Sequence, residues 1–480
     1  MCRQLWFYFP ALWLIFLLTN HFRARLGSRS TSVSLPVGSA LQRPLFEDPS
    51  VRIDDVAVEV EPEFKVCSVE PWNNVTTEKI PMEAMHKKWR ERSTGNMGNL
   101  AEGQLRVISA FVYKDEVVVT TTSQNRYGKQ VFCRYFDCNR IEIPNSAFQN
   151  YMFPMSSAYC ARRAGAKFIG LTETLEEEPI DPVPVTFRAH EEPVHDVAVC
   201  VGPIYGNESR WLEIVETTEH HILMGIHYFY FTVFNDMDSY TRKLLDEYER
   251  LETAEVTVVQ SEYKVMDWMF HMIQISDCFF RARHHSKWIL NVDIDERLVM
   301  TQLPLRSFID TISDDVGEIS FATNKIQRTQ PLPTYFSGTR DLEKQLLFLN
   351  FNASSETFYL GMKGLVRPDK TEAMFYHWTW RQHPGVRVMS APKKLGYIRH
   401  YRTTLPGLVK NWVRHGLKFR PTRLNWEFEE KLLRAVVKRV ERVYDQRVTH
   451  CEEIPERVLA MFSKDNYHCQ WKNGTSFGDQ

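Results

Sequence analysis

Between Asp196 and Leu298 the apolar pattern alternates between short β-type runs and helical spacing, and no other feature restricts the fold as much. VAVCV (197–201) is a short buried-strand run closed by Gly-Pro. Residues 209–223, SRWLEIVETTEHHIL, carry helical spacing and open on Ser209. GIHYFYFTVFN (225–235) reads as a second strand, SYTRKLLDEYERL as an amphipathic helix and AEVTVVQ (254–260) as a third strand. DWMFHMIQISDCFFRAR (267–283) is helical in spacing, and KWILNV (287–292) is a fourth strand. Strands and helices of these lengths in alternation predict a parallel sheet with right-handed crossovers.

Such sheets bind ligands at the carboxyl ends of their strands, where the strand order reverses. If the order is 3-2-1-4, the first and fourth strands are neighbours at that point. The loop 202-GPIYGNE-208 then lies beside 293-DIDE-296. An Asp-x-Asp pair alone means little, and the chain holds a second one, 236-DMD-238. That pair ends strand two, one strand from the reversal, whereas Asp293 and Asp295 end strand four. Two carboxylates leaving a strand end suit a hard cation such as Mn²⁺ or Mg²⁺ that keeps waters and phosphate oxygens as its other ligands. A metal there neutralises a nucleotide-sugar diphosphate as it leaves. A glycoside hydrolase needs carboxylates facing one another across a sugar, and Asp293 and Asp295 are too close in sequence for that.

The rest of the chain gives the setting. LWFYFPALWLIFLLT (5–19) carries no charge until His21, Arg23 and Arg25. It sits at the short end of a membrane span, for which ~20 residues are typical. No small-x-small cleavage site follows it, so residues 5–22 read as an uncleaved signal anchor after a 1–4 cytoplasmic tail, in preference to a cleaved signal peptide. The flanking arginines favour the opposite orientation. Four sequons, at Asn74, Asn207, Asn352 and Asn473, and eight scattered cysteines beyond Cys2 favour a luminal body. Cys451 and Cys469 flank the tail and suit a bridge that pins it. With 59 basic and 60 acidic residues there is no general attraction to nucleic acid.

Residues 23–100 read as a stem, poor in pattern up to about Pro62. RVISAFVY, EVVVTTT and VFCRYFDC place a β-rich subdomain in 101–189, with the acidic, proline-rich 173-ETLEEEPIDPVPV-185 as a break near its end. The catalytic-type domain occupies 190–425. A charged helix in 428–448 lies within a C-terminal segment, 426–480.

The runs 198-AVCVGPIYGNESRWLEIVE, 226-IHYFYF, 276-SDCFFRARHHSKWILNVDIDERL, 361-GMKGLVRPDKTEAMFYHW and 400-HYR resemble glycosyltransferase family 92, a group expanded in nematodes. The resemblance covers roughly residues 190–405. It implies an α/β, GT-A-like (Rossmann-like) fold and a type II Golgi membrane enzyme that inverts the anomeric centre. It also implies UDP-galactose as donor and β-galactosylation of fucose on N-glycan cores, and by position it gives Asp293 and Asp295 the metal role. A third metal ligand is expected from either His377 or His400 in the matching downstream region. Lys363, Arg367 and Arg402 are candidates for the diphosphate, and Pro203, Tyr205, Asn207 and Glu208 for the donor side of the crevice. Gln274 and Asp277, on the helix before strand four, are further candidates to face the nucleotide.

Inversion needs a general base for the acceptor hydroxyl. Glu296 is the simplest choice, though it is equally placed to brace the loop. Asp341, Glu343, Asp369 and Glu372 are alternatives. Trp378 and Trp380 suit a sugar-stacking wall as well as core packing. The competing reading is a non-catalytic, membrane-anchored carbohydrate-binding or scaffold protein that keeps the fold.

Overall fold

The computed structural model describes residues 65–92, 104–122, 126–260, 268–403 and 418–445. The expected anchor at 5–22, Asn473, and the Cys451 and Cys469 pair lie outside these residues. Among the described residues no helix is long and apolar enough to cross a membrane.

The β-branched runs of the N-terminal part form a seven-stranded sheet. Its strands are β1 (Val107–Val112), β2 (Val117–Thr121), β3 (Gln130–Phe136), β4 (Phe148–Tyr151), β5 (Ser157–Cys160), β6 (Phe168–Thr172) and β7 (Val183–Phe187), in the order β4-β3-β6-β7-β1-β2-β5. The end of the proline-rich break is therefore a strand of this sheet, pairing with β1 and β6. The stem expectation also needs correcting at its C-terminal end. Residues 65–92 pack on the body through the Cys67–Cys138 disulfide, the buried Ile80 and helix α1 (Glu83–Arg92), whose Trp89 meets Phe153 edge-on. A segment with an isoleucine, a tryptophan and a cysteine to bury has reason to fold; the polar stretch before it does not.

The alternating stretch folds as β8 (His195–Ile204), α2 (Trp211–Leu223), β9 (Tyr228–Phe234), α3 (Ser239–Arg250), β10 (Ala254–Val259), α4 (Trp268–Ala282) and β11 (Ser286–Val292). The strands run parallel in the order β10-β9-β8-β11, which is the 3-2-1-4 arrangement. Beyond β11 the sheet turns mixed. It continues through β12 (Glu296–Met300), β13 (Val316–Arg328), β14 (Ala353–Ser355), β15 (Phe358–Val366), β18 (Arg387–Ser390), β19 (Gly396–Thr403) and β20 (Phe419–Pro421), with the hairpin β16 (Thr371–Phe375) and β17 (Trp378–Gln382) beside it.

Alternation along β8 shows how the two faces are built. Val197, Val199 and Val201 face a core shared with α2, α3 and the C-terminal helix α5 (Trp426–Tyr444). Ala198 and Cys200 face α4, whose Cys278, Phe279 and Phe280 also meet Phe111 and Val118 of the N-terminal sheet. Helix α4 is thus buried between two sheets, and the Cys200–Cys278 disulfide ties it to β8. Together with Cys133–Cys160, three disulfides among the described residues use six of the eight cysteines beyond Cys2.

Candidate active site

Strand β11 ends at Val292 and β12 begins at Glu296, so Asp293 and Asp295 occupy the turn between them. That turn is held from several sides. Glu296 N donates to Asp293 O at 3.0 Å, and Asp293 N returns a bond to Glu296 Oε2 at 2.9 Å. Tyr401 N donates to Asp295 O at 2.8 Å. The register Val201↔Val292 sets the loop 202–208 alongside, at the strand-order reversal.

The fixed turn sends its two aspartates to different partners. Asp293 Oδ1 lies 3.3 Å from His271 Nε2 on α4, and Oδ2 lies 3.7 Å from His377 Nε2 at the β16–β17 turn. Lys363 of β15 reaches Asp293 Oδ2 at 3.0 Å and Glu296 Oε2 at 2.6 Å. Asp295 Oδ2 instead meets His400 Nε2 at 3.3 Å, and the other nitrogen of that ring is 3.1 Å from Glu296 Oε1. Asp293 and Asp295 keep 31% and 21% of their side-chain surface exposed, against 1% for Glu296 and 4% for Lys363. The aspartates open on the crevice; the Glu296–Lys363 pair lies beneath it.

Electrostatics divides the histidines in the same way. Burial pushes His377 well below the usual imidazole range, helped by the Lys363 charge, and burial also lowers His271. Both are neutral near pH 7, the form in which imidazole binds metals. Burial opposes protonation of His400 too, but Asp295 and Glu296 outweigh it and hold its pKa up. Asp293 is held well below the carboxylate range although burial works the other way, because Lys363, His377 and His271 surround it. Burial raises Glu296 despite Lys363.

The ligand atoms of His271, Asp293 and His377 lie within 4.8 Å of one another. His377 Nδ1 has no hydrogen-bond partner. Two neutral imidazoles and one open carboxylate fit a divalent cation, and the imidazoles suit a transition metal. Of the two expected histidines, His377 joins this group, while His400 lies against Asp295. Sequence reasoning does not single out His271. The signal was present in helical spacing, since His271 lies one turn before Gln274, and Gln274 packs against Gly202 with its Oε1 unpartnered.

Other expectations need correction. Glu296 is fully buried, with Oε2 held by Asp293 N and Lys363 and Oε1 3.1 Å from His400 Nδ1 without a hydrogen bond, so it braces the turn and is not placed to meet an acceptor hydroxyl. Among the alternatives, Glu372 is buried against Arg381 and His383, Asp369 pairs with Arg367, and Asp341 pairs with Lys344 on the surface. Glu343 is exposed, and its backbone carbonyl accepts from Asn350 Nδ2 at 3.2 Å. Arg367 lies at the wrong end of its strand. Val366 pairs with Ile289 in antiparallel register, which carries Arg367 toward the start of β11, where it binds Asp314 and Asp369. Asp277 is fully buried and accepts from Thr120 at 2.5 Å and Arg281 at 3.3 Å, joining α4 to the N-terminal sheet.

Arg402 is exposed two residues beyond His400, and its charge together with burial lowers the pKa of neighbouring Lys325. In the loop after β8, Tyr205 is 46% exposed, Pro203 is half-buried and Asn207 is exposed. Glu208 pairs with Arg210 at 2.9 Å. Asn207 also lines a 270 Å³ cavity with Asp238, Lys243 and Tyr335. Of the sequons, Asn74 is exposed and Asn352 half-buried. The second Asp-x-Asp serves the backbone: Asp236 accepts from Gly206 N, and Asp238 caps α3 through Thr241 N.

The sequence model described as Glycosyltransferase family 92 matches residues 195–446, just over half of the chain. The chain belongs to this family. That match supports reading the chain as a glycosyltransferase. No curated protein matches it. Among solved structures it is similar to a putative glucose-1-phosphate thymidylyltransferase from Bacillus anthracis in complex with a sucrose, at 9% identity and a TM-score of 0.19 over 28% of this chain. The chain spans 55% of that protein's length. A second is HddC from Yersinia pseudotuberculosis, at 10% identity and a TM-score of 0.22, covering 50% of this chain and 98% of that one. Likeness at that level carries no weight for fold or activity.

Proposed function

We propose that this family 92 member has the GT-A arrangement and transfers galactose, with inversion, from UDP-galactose to a glycan, fucose on N-glycan cores being the first acceptor to try. The supporting observation is the meeting of His271, Asp293 and His377 at the carboxyl end of β11, where the strand order reverses. These three residues would hold Mn²⁺, which supplies charge neutralisation for a departing diphosphate. Lys363 and Glu296 fix the turn that presents Asp293, and His400 restrains Asp295. Arg402 and Lys325 add positive charge on the approach, suited to phosphate oxygens. The protein is proposed to work as a type II membrane protein of the Golgi, anchored by residues 5–22 with the body in the lumen. The test is Mn²⁺-dependent UDP-galactose hydrolysis by the purified full-length chain, alongside UDP binding. Absence of both would refute the reading and leave a carbohydrate-binding protein with a transferase fold.

A further inference from the structure

The β16–β17 hairpin carries His377 at its turn, and directly after it an aromatic surface begins. Trp378 and Trp380 share one face of β17, since side chains alternate along a strand. Phe375 across the hairpin touches both, with ring centroids 5.4 and 6.5 Å away. Trp378 is half-buried and Trp380 is 45% exposed. Trp380 is nonetheless fixed, because its ring stands edge-on to Trp89 of α1 at 5.5 Å. Trp89 is itself locked by Phe153 at 4.8 Å and by the Arg381 guanidinium over its ring at 4.8 Å, and Arg381 is held by Glu372. The N-terminal part of the chain thus supplies the support for an exposed indole three residues from a candidate metal ligand.

A large aromatic left open and held rigid loses little side-chain entropy on binding. Its occupant should present a flat apolar face, because the open indole is flanked by the rings of Phe375 and Trp89 and lies three residues along the chain from His377. A sugar ring meets that description through the C–H face it turns to an aromatic plane, with its hydroxyls left to solvent and to neighbouring polar groups. We propose that Trp380, propped by Trp89, is the platform for a neutral sugar ring of the acceptor glycan. The sheet of the transferase and the N-terminal part then build the acceptor side together. The term "acceptor" rests on the transferase reading given above; the sugar-binding claim does not.

The test is retention on a glycan array by the full-length chain in detergent, comparing wild type, Trp380→Ala and Trp380→Tyr, with UDP-galactose hydrolysis measured in parallel. The expected result is glycan binding by wild type, a roughly tenfold loss in Trp380→Ala and partial recovery in Trp380→Tyr. Donor hydrolysis is expected to be equal in all three, because Trp380 touches none of the groups around Asp293. No glycan retained by wild type, or equal retention by wild type and Trp380→Ala, overturns the platform whether or not the donor is hydrolysed. A lack of hydrolysis with Trp380-dependent glycan binding would instead refute the donor reading and leave the platform standing.

Discussion

Lys363→Met tests whether Glu296 is a brace. Lys363 is 3% exposed and lies 2.6 Å from Glu296 and 3.0 Å from Asp293. Its pKa is raised although burial alone would lower it, so the two carboxylates outweigh the cost of its desolvation. Methionine fills much the same space without the charge. The two ends of the lost interaction then behave differently. Asp293 keeps 31% of its surface exposed and can rehydrate, so its share is limited to about 1 kcal/mol. Glu296 has 1% of its side chain exposed and would face only His400 and Asp293 N, and an uncompensated buried charge costs about 3–5 kcal/mol.

Urea unfolding at pH 7 should therefore show Lys363→Met destabilised by about 3–5 kcal/mol. The deficit should shrink toward pH 5, because Glu296, already raised by burial, sheds the penalty by taking up a proton. Adding Glu296→Gln should recover the stability to within about 1 kcal/mol of wild type, since no carboxylate then remains to be unpaired. A cost below about 1 kcal/mol for the single variant, or a double variant no better than the single, would mean that Lys363 and Glu296 do not form a buried charge pair. Glu296 would then be free for another role.

Three further outcomes are expected. His271→Ala should weaken Mn²⁺ binding, read by calorimetry, by roughly 100-fold or more, while Asp236→Asn leaves it unchanged; equal affinities would dissolve the three-residue group. Replacing both Cys200 and Cys278 with Ala should cost roughly 4 kcal/mol in chemical unfolding, given a sequence separation of 78, and an unchanged midpoint would mean that β8 and α4 hold together without the bond. His221 is buried, with Nδ1 on Thr217 O and Nε2 accepting from Leu298 N, and burial depresses its pKa to about 3. The unfolded chain then binds the extra proton first, so this stability is present above the unfolded value near 6.5 and is lost as pH falls. Between pH 7 and 5 the loss is roughly 2 kcal/mol, and His221→Gln should flatten the urea-midpoint trend by that amount.

The parallel core was legible because each of its elements carries its own period. β8, β9, β10 and β11, with α2, α3 and α4 between them, lie where alternation put them, and the reversal at β8 and β11 follows from their order. The position of Asp293 at that reversal followed in turn. What period could not supply was the partner set. His271 shares a helical turn with Gln274 on a largely apolar helix, but that spacing alone does not separate a ligand from a packed core histidine. Its role comes from α4 lying over β11 between two sheets. Arg367 failed for a related reason: adjacency in GMKGLVRP suggested two cations at one site, but four residues along an extended strand is about 13 Å. The antiparallel register then sends Lys363 toward the turn and Arg367 away from it. Residues 65–92 were hidden by a polar neighbourhood, and Cys67 and Trp89 find their partners 71 and 64 positions away.

Glu296 shows most clearly how sequence proximity and chemical role separate. An acid beside an Asp-x-Asp pair invites a catalytic reading, yet entry into β12 turns its side chain inward, opposite to the two residues that remain open. There it accepts from Asp293 N and meets both Lys363 and His400, so a single carboxylate sets the geometry of both aspartates. Lys363 takes one side of Asp293 and leaves Oδ1 toward His271, while His400 restrains Asp295 on the other side of the turn. Two residues at i and i+2 that look equivalent in sequence therefore present different faces. Asp293 has imidazoles whose pKa burial lowers, the neutral form a transition metal favours, whereas Asp295 has one whose pKa Asp295 and Glu296 hold up against burial. Asp293 therefore shares its place with His271 and His377, the group that could hold a metal, while Asp295 lies outside that group against His400.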